Sequence, residues 1–594
     1  MNEILQYRLT IGWYTKGVRI QNSRGKFSGT DSDLKIIDDA CKFYDISSIV
    51  AFDRRGVPYI RGHNIRNFNI VPAIRKLNKF DYYYHIDLYN IYKKKMVMDI
   101  YHDGYRDWKL DTVSKSILGK GKYDGQDGTS IQLLTKEKQL EYVIKDASLV
   151  MELSKHNDYE IPDLMNAISV ITKVPFDRVC NNGLSSWWTR VINDKINSGK
   201  YRLPTLNSAE RKKHTYKGGE VLEPKPGYYD AKNNQVVYIF DAKSLYPTMM
   251  IKYNISFDTV NCVCCKDKPE AKVPKFIMDL IVDDKKKEQT QNEKAKQYWI
   301  CQDPKYRGLI PILLEQYREE RFRQKDLGNE SMQRGLKILI NGCDGLFGSE
   351  FFEFADYRVA ELTTAYGRYT LSYMKHIAEK VYGFDVIAGD TDSIFVTNVK
   401  NKLDISKFLA ECSILLEDIE IDLVKEYNKA LLLGKKHYIG IHQDKTKDPD
   451  IVGIEGKKSD RPKWINNLQK DFAEDLKYDR NPTIKLRKAY QDMEKGLVPH
   501  DLLAISLTLK QDPSEYDTND YQNIVGKQLN AKEGDTIKYY KANFPGKAHS
   551  DPAFIDRSKY LERLQSTFEK QIKCLGYNYY KHVKGDATLD DFWE

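Results

Sequence analysis

The 594-residue chain has no apolar run near the roughly 18 residues that a membrane span needs. Its opening, MNEILQYRLTIGWYTKG, lacks the basic-then-apolar order of a secretory leader. Cysteine is sparse, nine residues in all, an odd number without framework spacing. That excludes a disulfide scaffold and points to a reduced, intracellular setting, cytoplasm or nucleoid. The one cluster, Cys262, Cys264 and Cys265, has no second pair and no nearby His, so no metal is assigned to it. Repeats and long low-complexity tracts are absent, which argues against solenoids and disorder. Charge of one sign is also lacking. The 94 Lys and Arg against 85 Asp and Glu leave +9, a weak argument on its own for a polyanionic partner.

What is present is enough apolar and aromatic material for several domains. Residues 1–155 alternate strand-like runs (9–14, 48–52, 83–89) with helical ones (33–44, 70–77, 137–154), an α/β module. Residues 156–209 read as helical and lead into the basic ERKKHTYKGGE. Two helices in a hairpin follow at 309–348, turning at Gly328-Asn329, and helical sequence covers 353–381. A further helix is expected near 405–429, before GKKHYIGI at 434–441, with others near 463–475 and 481–495.

Acids stand out at two places. In VIAGDTDSIF, residues 386–395, strand formers flank Gly389-Asp390-Thr391-Asp392, so the acids belong at a hairpin tip. In QVVYIFDAKSLYP, residues 235–247, Asp241 ends a hydrophobic strand. Between them the helical hairpin carries Arg321 and Lys325 at i,i+4, and Arg334, Lys337 and Asn341 at i,i+3,i+7, each set on one face. Acids from two strands suit a pair of Mg²⁺ ions, which take oxygen ligands and keep substrate phosphates. Cations on the hairpin suit a triphosphate. Together these describe nucleotidyl transfer.

The residues also resemble the B-family DNA polymerases. DAKSLYPTMMIKYNIS (241–256) is similar to their motif A, KILINGCDG (337–345) to a modified motif B, GDTDS (389–393) to motif C, and KKHY (435–438) to the K-K-x-Y element. YKGG (216–219) resembles the segment joining exonuclease and polymerase modules. The resemblance implies a multidomain α/β and α+β right hand of palm, fingers and thumb behind an N-terminal RNase H-like domain. It implies that 1–155 is an exonuclease-type domain, 156–290 linker helices and the first part of the palm, and 291–348 the fingers. The second part of the palm would be 349–444, and a helical thumb with the tail 445–594. It implies Asp241 and Asp392 as metal ligands with Asp390 close by, for two Mg²⁺ ions with Mn²⁺ as a substitute. Ser244, Leu245 and Tyr246, the last as a steric gate against ribose, would line the nucleotide together with Arg321, Lys325, Lys337 and Asn341. Tyr216, Gly218, Gly219, Thr391, Lys435, Lys436 and Tyr438 would touch primer–template DNA, as would Lys457, Lys458 and Arg461 in a thumb loop. Departures are Gly342 for Ser and Asp344 for Tyr in motif B, and Ala388 for the Tyr that usually leads motif C.

In the N-terminal module, GHNIRNFN (62–69) resembles the second exonuclease motif with Asn64 retained, but Asn69 stands where an Asp ligand belongs. YVIKD (142–146) keeps Tyr142 and Asp146 of the third motif, and the first motif is not found. A proofreading remnant is expected, and a short form without the additional N-terminal domain of many members. The tail DATLDDFW places Leu589, Phe592 and Trp593 at the spacing of sliding-clamp-binding peptides. The expected function is therefore a monomeric, template-directed DNA polymerase that uses deoxynucleoside triphosphates and lacks proofreading. The alternative is a catalytically weakened paralogue that binds primer–template. The missing acids disfavour a nuclease.

Overall fold

A computed structural model describes strands 19–21, 26–28 and 48–51 and residues 84–585, apart from 102–104, 106–107, 123–134, 198–215, 282–296, 417–418, 455–460, 510, 519, 533–535 and 544–545. The chain forms two compact units. The first takes in 1–215, 253–271 and 299–360; the second takes in 216–252, 272–298 and 361–594. This division groups 253–271 and 349–360 with the helical hairpin. No helix among the described residues is long and apolar enough to cross a membrane.

In the first unit, strand Ser48–Ala51 pairs in parallel with Tyr84–Asp87, and helices follow. The expected strand at 83–89 is shorter, because Leu88–Tyr92 turns helical and buries Leu88, Tyr89, Ile91 and Tyr92. Helix Lys136–Thr172 breaks at His156–Tyr159, where backbone angles leave the helical region. The hairpin is Leu309–Asp326 and Glu330–Phe347. Gly328 turns it with φ +70, and the Asn329 side chain caps the second helix by accepting from Met332 N–H at 3.3 Å. Gly335 lets Ile168 and Ile171 of the long helix pack close, with Ile171 Cδ1 3.2 Å from where a Cβ would stand. Trp188, on helix Leu184–Lys195, donates its indole N–H to Leu339 O at 3.1 Å.

The second unit is built on an eight-stranded sheet. We number its strands β1 (Val221–Leu222), β2 (Gly227–Asp230), β3 (Val237–Ala242), β4 (Asp385–Asp390), β5 (Ser393–Thr397), β6 (Ile421–Gly434), β7 (His437–His442) and β8 (Asp450–Val452). The order is β8-β7-β6-β3-β5-β4-β1, with β2 also on β6, and neighbouring strands run antiparallel. Helices Lys463–Lys477, Thr483–Lys495 and Arg557–Cys574 share a core with β6 and β7.

Two expectations need correction. The helix expected near 405–429 ends at Leu415 (Lys402–Leu415), and 421–434 is β6. Its Lys, Glu, Ala and Leu favour a helix locally, yet strands on both sides satisfy its backbone and bury Tyr427, Ala430, Leu431 and Leu432. The C-terminal region is not purely helical either, since Ile505–Thr508, Thr536–Lys541 and Ala548–His549 form a small sheet around Ile505, Ile537 and Ala548.

Leu431 is fully buried among Ile439, Trp464 and Leu468. Leu431→Ala should destabilise this unit by about 3 kcal/mol, through lost transfer energy and a cavity, read as a lower denaturation midpoint at constant slope.

Candidate active site

The sheet brings the two acid-bearing segments together. β3 lies between β6 and β5, with Asp241 in register with Ser393 on β5 and with Asp422 on β6. Ala242 N–H donates to Asp392 O at 2.8 Å, so Asp241 adjoins the tip of the β4–β5 hairpin. That tip is tight. Asp392 N–H donates to Asp390 O at 2.6 Å across Thr391, whose φ is +59. A β-branched residue rarely adopts this backbone, which is that of a strained γ-turn. Ser244 (φ +48) and Lys436 (φ +56) are likewise left-handed.

Electrostatics follow from this convergence. Burial, then the neighbouring Asp241 and Asp390 carboxylates, push the Asp392 carboxyl up to about 6 despite Lys436 nearby. Lys436 Nζ is 2.9 Å from Asp390 Oδ1, and Lys435 Nζ is 2.8 Å from Glu223. Asp241, Asp390, Lys435, Lys436 and Tyr438 line one cleft of about 200 Å³. Tyr438 packs edge-on against Phe395 at 5.2 Å, and burial raises its hydroxyl pKa.

Tyr246 stands beside the tip. A Cβ on Gly219 would collide with its hydroxyl, and one on Gly367 would lie 2.6 Å from its ring. The ring is thus lodged between two glycines. The YKGG segment reaches it because Thr391 N–H donates to Glu220 O at 2.8 Å and β1 pairs with β4, Val221 opposite Asp390. Arg368 secures that segment from below. Buried to 1% exposure, it donates through Nη1 to Lys217 O at 2.8 Å and to Gly218 O, and through Nη2 to Leu280 O at 2.9 Å. Thr364 Oγ1 adds a bond to Lys217 O at 3.0 Å.

On the hairpin of the first unit, Lys325, Lys337 and Asn341 are exposed and Arg321 is partly so. Arg334 is instead committed to Glu160 at 2.5 Å. Leu245 is buried, and Ser244 is partly buried. Arg461 is also buried, its charge disfavoured by desolvation, which corrects its placement on an open phosphate-contacting loop. Lys457, Lys458, Asn64, Asn69, Leu589, Phe592 and Trp593 lie outside the described residues. Tyr142 and Asp146 fall on helix Lys136–Thr172, but their side chains are outside the description.

Comparison with known proteins decides the family. The profile described as DNA polymerase family B matches residues 174–543, more than half of the chain. The chain belongs to DNA polymerase family B. It is 29% identical over 598 aligned positions to "DNA polymerase 1" of Sulfolobus acidocaldarius, covering 90% of this chain and 63% of that one. With "DNA polymerase 1" of Saccharolobus solfataricus the identity is 28%, over 86% of this chain and 59% of the relative. The chain thus spans about three fifths of the length of these relatives. The solved family B DNA polymerase of Pyrobaculum calidifontis superimposes with a TM-score of 0.60 over 92% of this chain and 72% of that one, at 21% identity, a likeness of fold.

Within this family B chain, two departures in motif B have visible surroundings. Leu184 occupies the space that a Cβ at Gly342 would fill, so the glycine admits helix Leu184–Lys195 against the hairpin. Asp344 is partly buried, and desolvation, only partly offset by backbone N–H groups, pushes its carboxyl up to about 6. Reading the sequence missed Gly367 and Arg368, whose signal is a glycine–arginine pair inside an otherwise ordinary helix, Tyr357–His376. It also missed Asp422, masked by the wrong helix. Asp422 and Glu420 both pair with Lys243, the latter at 2.6 Å.

Because the folded Asp344 carboxyl titrates near 6 against an ordinary 3.8, the native state holds its proton more tightly than the unfolded chain. Its cost is absent at low pH, grows as pH rises through that window, and is complete above it. Asp344→Asn should therefore stabilise the protein by about 1–2 kcal/mol at neutral pH, with the gain vanishing toward about pH 4. Thermal melts of both proteins across that range measure it.

Proposed function

We propose that the chain is a template-directed DNA polymerase that adds deoxynucleotides to a primer 3′ end. The meeting of Asp241 with Asp390 and Asp392 on adjoining strands, in a chain of family B, carries this reading. The donor set suits hard divalent cations, since it offers carboxylate oxygens whose mutual repulsion a cation would relieve. Asp241 and Asp392 would hold Mg²⁺, with Asp390 beside them. Bound there, the metal pair supplies electrostatic stabilisation of the attacking and leaving oxygens of an in-line phosphoryl transfer.

The chain's own residues do the rest. Lys436, fixed on Asp390, orients that carboxylate and keeps one positive charge at the cleft. Lys435 and Tyr438 supply sequence-independent contacts to the primer–template backbone. Tyr246, wedged between Gly219 and Gly367, serves as an immobile wall beneath the sugar and excludes a 2′-hydroxyl. Arg321, Lys325, Lys337 and Asn341 on the hairpin take the triphosphate. In the same reading the sheet is the palm, the hairpin the fingers, and the helices beyond 445 the thumb. The N-terminal 1–155 is a proofreading domain that has lost activity through Asn69 and its missing acids, and the 589–593 tail is a clamp-binding peptide.

Primer extension with Mg²⁺ tests the proposal. Wild type should extend. Asp392→Ala should lose about a thousandfold in rate, on the order of 4 kcal/mol of transition-state stabilisation, while still retarding primer–template in a gel. Binding without extension by wild type would favour the paralogue reading. Trimming of unpaired 3′ ends in the same gel would overturn the loss of proofreading.

Tyr246→Ala should raise ribonucleotide incorporation at least about tenfold relative to the deoxynucleotide, measured as the ratio of kcat/KM values. An unchanged ratio would place the gate elsewhere.

A further inference from the structure

Four of the nine cysteines converge in the first unit. Cys262, Cys264 and Cys265 meet Cys301, and the four Sγ atoms all lie within 4.8 Å of one another. From Cys264, the distances are 3.4 Å to Cys262, 3.7 Å to Cys265 and 3.7 Å to Cys301. All four are free thiols. Sulfurs at about 2.3 Å from one tetrahedral ion stand about 3.8 Å apart, close to this spacing. A four-iron cluster would hold its thiolates on the corners of a larger body.

Ordinary packing accounts for only part of the cluster. Cys265 and Cys301 are buried beside Ala271, but Cys262 is half-buried and Cys264, which touches all three others, is exposed. The surrounding backbone is built to hold the thiols. Val260 and Ile300 form an antiparallel bridge, Cys301 N–H donates to Thr259 O at 3.0 Å, and Trp299 Nε1 donates to Cys262 O at 2.7 Å. Backbone N–H groups of Gln302, Asp303 and Cys265 are directed at the sulfurs of Cys265, Cys301 and Cys262 respectively. Such donors stabilise metal-bound thiolates.

We propose that Cys262, Cys264, Cys265 and Cys301 bind one structural zinc ion in a closed tetrathiolate site. Four protein ligands leave no open position, so the metal's role is to tie the 262–265 turn to the segment that leads into helix Leu309–Asp326. Binding releases the thiol protons to solvent as the thiolates form. The proposal does not depend on polymerase activity.

Elemental analysis of the full-length chain, purified without chelator from zinc-supplemented culture, should find about one zinc per chain. Cobalt exchanged into the same protein should give the intense visible bands of a tetrahedral tetrathiolate. Cys301→Ser and Cys264→Ser should each lower bound zinc at least about fivefold, whereas Cys412→Ser, a buried thiol elsewhere, should leave it unchanged. Metal-free wild type with all thiols titratable in denaturant would overturn the proposal. So would a disulfide among the four on mass mapping, zinc retained by Cys301→Ser, or iron with inorganic sulfide in place of zinc.

Discussion

The antiparallel pairing of β3 with β5 and β6 is the constraint on which the candidate site rests. Carboxylates facing each other across adjacent strands, about 5 Å apart, repel by about 3 kcal/mol at an effective dielectric near 20. A flexible chain would separate Asp241 from Asp392. Here the backbone ladder fixes both, and burial together with the neighbouring charge raises the Asp392 carboxyl pKa instead. The stored repulsion is what gives the proposed metal site its affinity, because a divalent cation relieves it. Lys436, paired with Asp390 and close enough to Asp392 to lower its pKa, provides only partial relief.

A second chain of dependence runs from a buried arginine to an aromatic ring. Arg368 surrenders hydration to bind backbone carbonyls of Lys217, Gly218 and Leu280, a cost offset only if those carbonyls would otherwise be unsatisfied. The carbonyls fix Gly218-Gly219, and Gly219 approaches Tyr246 so closely that no Cβ fits. The position of the ring therefore depends in part on a residue that acts through the backbone of the 217–219 segment. A proposed gate must be stiff to discriminate one hydroxyl, and two glycines with a buried guanidinium behind them supply the stiffness.

How far the sequence revealed this depends on how local each signal is. The acid-tipped hairpin was legible because Gly389 to Asp392 interrupts two β-branched runs, and the helical hairpin because Gly328-Asn329 both turns and caps. β6 was not, because its Lys, Glu, Ala and Leu content favours a helix and only its sheet neighbours reverse that preference. Losing β6 also hid Asp422, which stands opposite Asp241. Arg461 read as a surface cation because charge reports nothing of burial, and the structure buries it. Cys301 escaped because a thiol far along the chain from 262–265 joins them only through the Val260–Ile300 bridge. Spacing rules find ligands that a turn brings together and miss those that a tertiary contact supplies.

That long spacing is also where a metal would do most for the fold. A link between Cys265 and Cys301 closes a loop of roughly 36 residues, and removing its closure entropy from the unfolded chain is worth about 4 kcal/mol by the cross-link estimate. The link falls at the root of the hairpin, just before Leu309. The hairpin itself is pinned mainly through its second helix, by Gly335 against the long helix and Gly342 against Leu184. Soft thiolates on a loop and hard carboxylates on a sheet select different ions, so the two proposed sites need not compete for one metal. The first helix, which carries Arg321 and Lys325, then gains at its base the anchoring that glycine contacts give to its partner.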